Sequence, residues 1–279
     1  MTETASGINW SDAFDNAPYI PAAADFPQMW AARSQAFRQA CHFSRLDIAY
    51  GTKEREVLDL FLPAKLPRGL VFFVHGGFWK AFDKSYWSFL AQGALDNGMA
   101  VAMPSYTLAP DATLPEITQQ IARALEKAAA QVMGPIYLAG HSAGGHLVTR
   151  TICEDTSLDE SIVNRIEQVV SISGLHDLPP LRLHPMNDTL GLTEATALSE
   201  SAVCHTPMGR ARVTAWVGAR ERPEFLRQSA LLAEAWAAAG ASLYAEPDRH
   251  HFDVIDGLLD GDSLLLKTLL GRECRGEAV

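Results

Sequence analysis

Short, continuously apolar runs that alternate with helix-forming stretches constrain the fold of this chain more than any other feature. Residues 70–74 are all apolar, and runs at 100–103, 136–139, 169–172 and 213–217 are apolar apart from Ser171 and Thr214. A strand covered on both faces reads as such a run, and the stretches between the runs are long enough for the helical crossovers that parallel strands require. The order predicts an α/β fold with a mostly parallel central sheet and helices on both faces.

The two ends of this series carry different patterns. Residues 46–50 and 57–62 alternate apolar and polar side chains as in a hairpin, and 242–245 form a weaker last strand. The segment at 175–207, after the sixth strand, is rich in Pro, Leu and polar residues and has no clean period. Long irregular segments in compact domains are often functional, so we predict a lid-like insertion there. Helical patterns occupy about 26–41, 84–97, 114–133, 143–154, 224–239 and 253–270.

The length and composition suit one domain with a large core. The chain has 279 residues, of which 48% are hydrophobic. Residues 1–45 stand apart, because a turn-rich start leads into a helical pattern that carries Trp30 and Phe37. We predict that 1–45 form an N-terminal arm packed on a catalytic domain at 46–279.

Charge and cysteine content restrict the partners and the compartment. The net charge is −10, which argues against nucleic acid as a partner. Residues 1–10 lack the basic and apolar pattern of a signal peptide, and no apolar run reaches the roughly 18 residues of a membrane span. We expect a cytoplasmic protein that binds a small-molecule substrate and no membrane, with its oligomeric state open, a homodimer included. Four residues should then be free thiols: Cys41, Cys153, Cys204 and Cys274.

The segment Gly140-His141-Ser142-Ala143-Gly144 lies between a predicted strand and a predicted helix. A sharp strand-to-helix turn holds a serine in a strained conformation with its Oγ above the sheet edge, and small neighbours let the chain pass closely. The following helix begins with unpaired N–H groups, so the N–H of Ala143 would face a developing oxyanion. The alternative is a glycine-rich turn with a solvated serine.

A second glycine turn, His75-Gly76-Gly77-Phe78, follows the strand at 70–74. Adjacent glycines allow backbone shapes that other residues avoid, and such a turn can direct N–H groups into a site. We assign these donors to Gly77 and Phe78, together with Ala143. His75 is interpreted as a structural residue that holds the loop in shape.

A base and an acid are needed to activate the serine, and they should follow the last two strands. His251 is the preferred base, because it lies directly before the apolar start of a helix, and His250 is the alternative. Glu221 follows the strand at 213–217 and is the preferred acid, which would orient the imidazole. Glu224 is the alternative acid.

Taken together, the His75–Trp79 and Gly140–Gly144 motifs resemble those of the α/β-hydrolase superfamily, in its hormone-sensitive-lipase-like branch. More narrowly, the chain resembles the serine-dependent kynurenine formamidases (arylformamidases) between about 47 and 270. Pro223-Glu224-Phe225, His251-Phe252-Asp253 and the segment 104–110 carry this narrower match. The resemblance implies the triad Ser142, Glu221 and His251 and the oxyanion donors Gly77, Phe78 and Ala143. One departure is Glu221, where close relatives often have Asp.

Aromatic residues cluster just after the second glycine turn and could line a flat pocket, although core packing explains them equally well. Asn187 could add polar contacts from the lid-like segment. As substrate-binding residues we predict Trp79, Tyr86 and Tyr106.

The resulting hypothesis is a serine hydrolase that cleaves a small aryl formamide, similar to N-formylkynurenine, through an acyl-enzyme intermediate without a metal or other cofactor. Two alternatives remain. One is a carboxylesterase or thioesterase with the same catalytic groups, and the other is a non-catalytic hydrolase-fold protein that binds a small molecule.

Overall fold

One sheet of eight strands organises residues 7–272, the part of the chain that the computed structural model describes. The order across the sheet is β1-β2-β4-β3-β5-β6-β7-β8. β2 is antiparallel to both of its neighbours, and all pairs from β4 to β8 are parallel, which confirms the predicted sheet. The strands are β1 (Ser44–Ala49), β2 (Val57–Phe61), β3 (Leu70–Val74), β4 (Ala100–Pro104), β5 (Ile136–His141), β6 (Ile166–Ile172), β7 (Arg212–Gly218) and β8 (Ser242–Glu246).

Helices connect the strands and cover both faces of the sheet. The α-helices are α1 (Trp10–Ala13), α2 (Phe26–Ala40), α3 (Gln92–Asp96), α4 (Leu114–Ala129), α5 (Ala143–Thr151), α6 (Glu160–Val163), α7 (Asn187–Leu190), α8 (Glu194–Ser199), α9 (Pro223–Ala235) and α10 (Leu264–Leu269). The 3₁₀ turns are Ala17–Tyr19, Ala23–Asp25, Lys84–Tyr86, Ser88–Ala91, Pro179–Leu183, Ala202–Cys204, Ala237–Ala239 and Val254–Leu259.

Two of the predicted helices are broken into shorter pieces. The pattern at 84–97 forms two 3₁₀ turns followed by α3, and the pattern at 253–270 forms a 3₁₀ turn followed by α10. In the second case Ser263 accepts a hydrogen bond from the N–H of Leu266 at 3.0 Å and so caps a new helix. The apolar periodicity of 253–270 identified the buried side chains, but it did not show that Ser263 begins a new helix.

Buried hydrophobic side chains cover both faces of the sheet, and the residues of β3 alternate between the two clusters. Leu70, Phe72 and Val74 contribute to one buried cluster, while Val71 and Phe73 contribute to the other. All five side chains are at most 3% exposed. Alternate residues of a strand point to opposite faces, so an apolar run is required where helices cover both sides.

The N-terminal residues 7–40 pack on this domain at two places. Phe14 is fully buried and lies edge-on against Phe225, with ring centroids 6.5 Å apart. Trp30 of α2 packs against Trp87 with centroids 4.7 Å apart. Between these anchors the chain crosses the carboxyl ends of the strands. Residues 1–6 of the predicted arm lie outside the described residues.

The insertion after β6 folds into short helices rather than an irregular loop. Leu175, Leu178 and Leu181 are fully buried and belong to the same core cluster as β3 and α4. Cys41, Cys153 and Cys204 are free thiols, and Cys274 lies outside the described residues. Within residues 7–272, the helices lack the length and apolar character needed to cross a membrane.

Candidate active site

A cavity of about 730 Å³ contains two of the predicted catalytic residues, Ser142 and His251. Its walls are mostly apolar and aromatic. Half of the lining residues lie between 14 and 30, so the N-terminal segment forms one side of the cavity. No lining residue comes from 175–207, the segment that we predicted to be lid-like. The arm covers the cavity instead.

Ser142 sits at a sharp turn between β5 and α5. Its φ of 55° and ψ of −119° are unfavourable for a residue with a side chain, and its N–H donates to the carbonyl of Ile172 at 2.8 Å. Glycines allow the turn to pass this closely. A Cβ on Gly144 would lie 2.0 Å from the carbonyl oxygen of Val74, and one on Gly140 would lie 2.1 Å from the carbonyl oxygen of Gly144.

His251 and Glu221 form a buried pair at the ends of β8 and β7. Nδ1 of His251 is 2.6 Å from Oε2 of Glu221, and the two side chains are 4% and 0% exposed. A carboxylate only accepts hydrogen bonds, so Nδ1 of His251 carries a proton and donates it to Glu221, which leaves Nε2 as the ring nitrogen available to the serine. The other carboxylate oxygen of Glu221 accepts from the N–H of Gly218 at 2.8 Å and from the hydroxyl of Ser173.

The alternative base and acid are engaged elsewhere. Glu224 accepts hydrogen bonds from Arg227 and Gln228 on its own helix, at 2.7–2.8 Å. Nδ1 of His250 accepts from the backbone N–H of Phe252 at 3.1 Å. The structure therefore brings together Glu221 and His251 rather than Glu224 and His250.

The glycine turn after β3 lies directly against the serine. A Cβ on Gly76 would come within 3.0 Å of Cβ of Ser142, so no larger residue fits there. Gly77 and Phe78 adopt φ values of +112° and +49°. Among residues 7–272, the backbone N–H groups of Gly77, Phe78 and Ala143 have no hydrogen-bond acceptor. These three groups are the predicted oxyanion donors, and they flank the serine on two sides.

His75 has a position that fits the structural role expected of it. Its Nδ1–H donates to the carbonyl of Gly76 at 2.7 Å, and its ring stacks on Tyr106 with centroids 4.5 Å apart. Burial lowers the pKa of His75 to about 4. The neutral ring therefore supports the glycine turn at 76–78 as a structural residue.

None of the three predicted substrate-binding aromatics lines the cavity. Trp79 is fully buried and lies edge-on to His146, because the left-handed backbone at Phe78 and Trp79 turns its side chain into the core. Tyr106 is fully buried, where its hydroxyl donates to the carbonyl of His75. Tyr86 is half-buried and packs on Phe82. The aromatic residues that do line the cavity are Phe14, Trp30, Phe78, Phe82, Trp87 and Phe252.

Asn187 also makes no contact with the cavity. Its side-chain amide bonds both the N–H and the carbonyl of Leu192, at 2.8 and 3.2 Å. It therefore closes a turn inside the insertion after β6.

Two residues that sequence reasoning did not place in the site support the pair of His251 and Glu221. Nε2–H of His141 donates to the carbonyl of His251 at 2.9 Å, and burial together with the neighbouring His251 keeps the pKa of His141 well below its usual range. Ser173 donates to Glu221 and adopts a φ of 53°. His141 was visible as a neighbour of the serine, whereas no sequence signal distinguishes Ser173.

The arrangement can perform nucleophilic acyl transfer. A serine at a strained turn, an imidazole oriented by a carboxylate, and free backbone donors are the groups that this chemistry requires. Within the described residues 7–272, no group of three or more His, Cys, Asp or Glu side chains is placed to hold a metal ion.

Comparison with known proteins agrees with the fold described above. Residues 71–201 match a family model described as alpha/beta hydrolase fold. Kynurenine formamidase from Danio rerio is 31% identical, over 81% of this chain and 80% of its own length. A crystal structure of a protein from Silicibacter, provisionally named a thioesterase, is 47% identical with a TM-score of 0.90, over 95% of this chain and all of its own. An esterase from Pyrobaculum calidifontis shares the fold at 16% identity and a TM-score of 0.69, over 89% of this chain and 91% of its own.

Proposed function

Because this chain belongs to the α/β-hydrolase family, we propose that it is a serine hydrolase that cleaves small aryl formamides through an acyl-enzyme intermediate. The observation that carries the proposal is the buried pair of His251 and Glu221, because His251 lines the same cavity as Ser142 at its strained turn. The names of the relatives in Danio rerio and Drosophila melanogaster, both kynurenine formamidases, support the formamide as substrate.

In the first half of the reaction Ser142 attacks the formyl carbon. His251 accepts the Oγ proton on Nε2, and Glu221 stabilises the imidazolium that forms. The N–H groups of Gly77, Phe78 and Ala143 stabilise the oxyanion of the tetrahedral intermediate; loss of one such donor costs about 3–4 kcal/mol in a known case. His251 then protonates the departing aryl amine as the C–N bond breaks.

In the second half, water hydrolyses the formyl-serine ester. His251 accepts a proton from the water as its oxygen bonds to the carbonyl carbon, and the same donors hold the second oxyanion. Collapse of this intermediate expels Oγ of Ser142, which takes the proton back from His251. Formate is released and the resting enzyme returns.

The apolar and aromatic walls of the cavity suit an aryl leaving group. Phe78, Phe82 and Trp87 line it from the domain, and Trp30 and Phe14 line it from the N-terminal side. Flat aromatic surfaces bind an aromatic ring through burial and edge contacts. About 730 Å³ is within the range of small-molecule sites, which is roughly 300–1,000 Å³.

The second candidate is an esterase or thioesterase activity, which the name of the 47% identical Silicibacter protein favours. A comparison of kcat/KM for N-formylkynurenine and p-nitrophenyl acetate separates the two. We expect the formamide to be the better substrate, and equal or poorer turnover of the formamide rejects the proposal in favour of an esterase.

A binding protein without catalysis is the remaining alternative. An alkyl or aryl fluorophosphonate forms a covalent bond with an activated serine. We expect labelling of the native protein and none of the Ser142→Ala variant. A native protein that resists labelling would be a binding protein.

A further inference from the structure

The end of β6 contacts two parts of the proposed catalytic centre through consecutive residues. The carbonyl of Ile172 accepts a hydrogen bond from the N–H of Ser142 at 2.8 Å. The next residue, Ser173, donates a hydrogen bond from its hydroxyl to Oε1 of Glu221. In the sheet, β6 lies between β5, which leads to the serine, and β7, which leads to the acid. This strand end is therefore placed to hold the nucleophile and the acid relative to each other.

Ser173 adopts a backbone conformation that serine rarely takes. Its φ is +53°, in the left-handed region, where a residue with a Cβ is unfavourable and glycine is not. Backbone strain of this kind is found mainly where the surroundings hold it in place, and functional sites are common among such places. A glycine would relieve the strain and lose the hydroxyl. The contact with Glu221 therefore gives a reason for the serine at this position.

The backbone of Ser173 is held on the neighbouring strand. Ile172 and Trp216 form the last pair of the β6–β7 ladder, and the N–H of Ser173 donates to the carbonyl of Trp216 at 2.6 Å. The serine is fully buried. Because its backbone is fixed before the hydroxyl donates, the hydrogen bond can hold its acceptor in one orientation at little further cost in conformational entropy.

Glu221 needs a partner on each carboxylate oxygen to keep a single orientation, since its side chain has one more rotatable bond than aspartate. Oε2 faces Nδ1 of His251. Among residues 7–272, the donors to Oε1 are the N–H of Gly218, at 2.8 Å, and the hydroxyl of Ser173. Gly218 lies in the same turn as Glu221, whose N–H donates to the carbonyl of Gly218 at 3.0 Å. Ser173 is thus the donor that ties this oxygen to a different strand.

The same hydrogen bond stabilises the charge of the carboxylate. The side chain of Glu221 is 0% exposed, so solvent does not reach it. The two flanking arginines bind other carboxylates, since Arg220 pairs with Asp248 and Arg222 with Asp12. A buried carboxylate stays ionised when donors bond its oxygens. Only the ionised form can accept from the imidazole and stabilise the imidazolium that forms during the reaction.

We propose that Ser173 is a positioning residue of the hydrolase, which fixes the orientation of Glu221 and, through it, that of His251. The assignment rests on the proposed function, because it requires the acid, the base and Ser142 to act together. Ser173 does not line the cavity. Loss of its hydroxyl should therefore slow the attack by Ser142 and leave the binding of a ligand in the cavity unchanged.

Two variants separate the hydroxyl from the backbone conformation. Ser173→Ala keeps the Cβ and removes only the hydroxyl, whereas Ser173→Gly also removes the cause of the strain. Inactivation by a fluorophosphonate, followed over a range of inhibitor concentrations, gives the maximal rate constant of attack by Ser142 and the half-saturating concentration. We expect the maximal rate constant to fall about 10-fold in both variants, with the half-saturating concentration unchanged.

A matched control is Ser171→Ala, which removes a buried hydroxyl from the same strand. Oγ of Ser171 lies 3.1 Å from Nε2 of His176, so this hydroxyl serves a different partner. The control should keep the maximal rate constant of the native protein. Circular dichroism during heating checks that each variant is folded at the assay temperature. If Ser173→Ala does not fold, Ser173→Gly, which carries no Cβ at the positive φ, supplies the same measurement.

Three results would overturn the proposal: an unchanged maximal rate constant in the folded Ser173 variants, an equal fall in Ser171→Ala, or a change in the half-saturating concentration alone. A native protein that is not labelled would overturn both this proposal and the proposed function. If the native protein is labelled but does not cleave N-formylkynurenine, the formamide assignment alone fails, and the inactivation rates still decide the role of Ser173.

Discussion

The reactive groups and the outer wall of the cavity are held in different ways. Ser142, Glu221 and His251 follow β5, β7 and β8, so the sheet fixes their spacing, and buried hydrogen bonds fix the orientation of Glu221 and His251. The first described part of the arm, residues 7–25, crosses the cavity. It is held by a few side chains, mainly Phe14 and the pair of Asp12 and Arg222. In the proposed enzyme the chemistry therefore depends on the sheet, whereas selectivity depends in part on a segment that can change more freely.

The largest effect should come from Ser142→Ala. We expect kcat/KM to fall by about 10⁴- to 10⁶-fold, because the nucleophile is lost while the oxyanion donors and the cavity remain. Binding of an aryl amine, measured by titration, should be unchanged, since the arm and cavity walls are intact. Substantial residual turnover would mean that Ser142 is not the nucleophile.

The acid is tested by Glu221→Gln, with Glu224→Gln as its control. The amide keeps the shape but cannot stabilise the imidazolium, so kcat should fall by about 10³- to 10⁴-fold. Glu224 is buried among Arg227 and Gln228, so its replacement should lower the melting temperature and leave kcat within a few-fold. If kcat fell in Glu224→Gln and not in Glu221→Gln, Glu224 would be the acid.

Low pH should destabilise the sheet domain. Burial lowers the pKa of His75 to about 4 and those of His146 and His176 to about 3, and it keeps the pKa of His141 well below its usual range. These rings are neutral in the folded state and take up protons on unfolding. Their stabilisation is therefore present above about pH 6.5 and is lost as the pH falls toward the folded-state values.

At pH 4 the loss should be about 3 kcal/mol for each of His75, His146 and His176, measured by urea unfolding at pH 7, 5.5 and 4. None of these four histidines lies in residues 7–25. His176→Gln should reduce the pH dependence. Stability that is equal at pH 7 and pH 4 would contradict this expectation.

The smallest of these effects should come from Phe14→Ala, which weakens the docking of the arm. Removal of a buried phenylalanine costs about 3–5 kcal/mol, and here the loss falls on a peripheral segment. We expect KM for an aryl formamide to rise about 10-fold with kcat nearly unchanged, and proteases to cut the arm sooner. A fall in kcat of similar size would show that the arm also positions the reacting groups.

The sequence predicted the sheet and the proposed triad because both are encoded locally. An apolar run such as 70–74 specifies a buried strand, and the glycines around Ser142 specify a sharp turn at its end. His251 and Glu221 could be chosen because they follow the last two strands.

Features that depend on contacts between distant segments could not be predicted in the same way. Trp79 was expected in the cavity, but two left-handed residues turn it into the core. The insertion at 175–207 looked irregular, yet its leucines are buried in the main core. The arm covers the cavity because Phe14 docks against Phe225, more than 200 residues away in sequence, and no local pattern indicates that contact.

The register between β3 and β5 limits how the gene can vary. Val74 pairs with Gly140 at the ends of their strands. The glycine turn at 75–78 and the turn that contains Ser142 therefore begin at the same level of the sheet. Deletion of one codon within β3 would move the first turn by about 3.3 Å relative to the second and exchange the faces on which Phe72 and Phe73 pack. A codon gained or lost near Pro21, on the exposed part of the arm, leaves that register untouched. Length changes in descendants of this gene should therefore accumulate in the arm and be purged from the central strands.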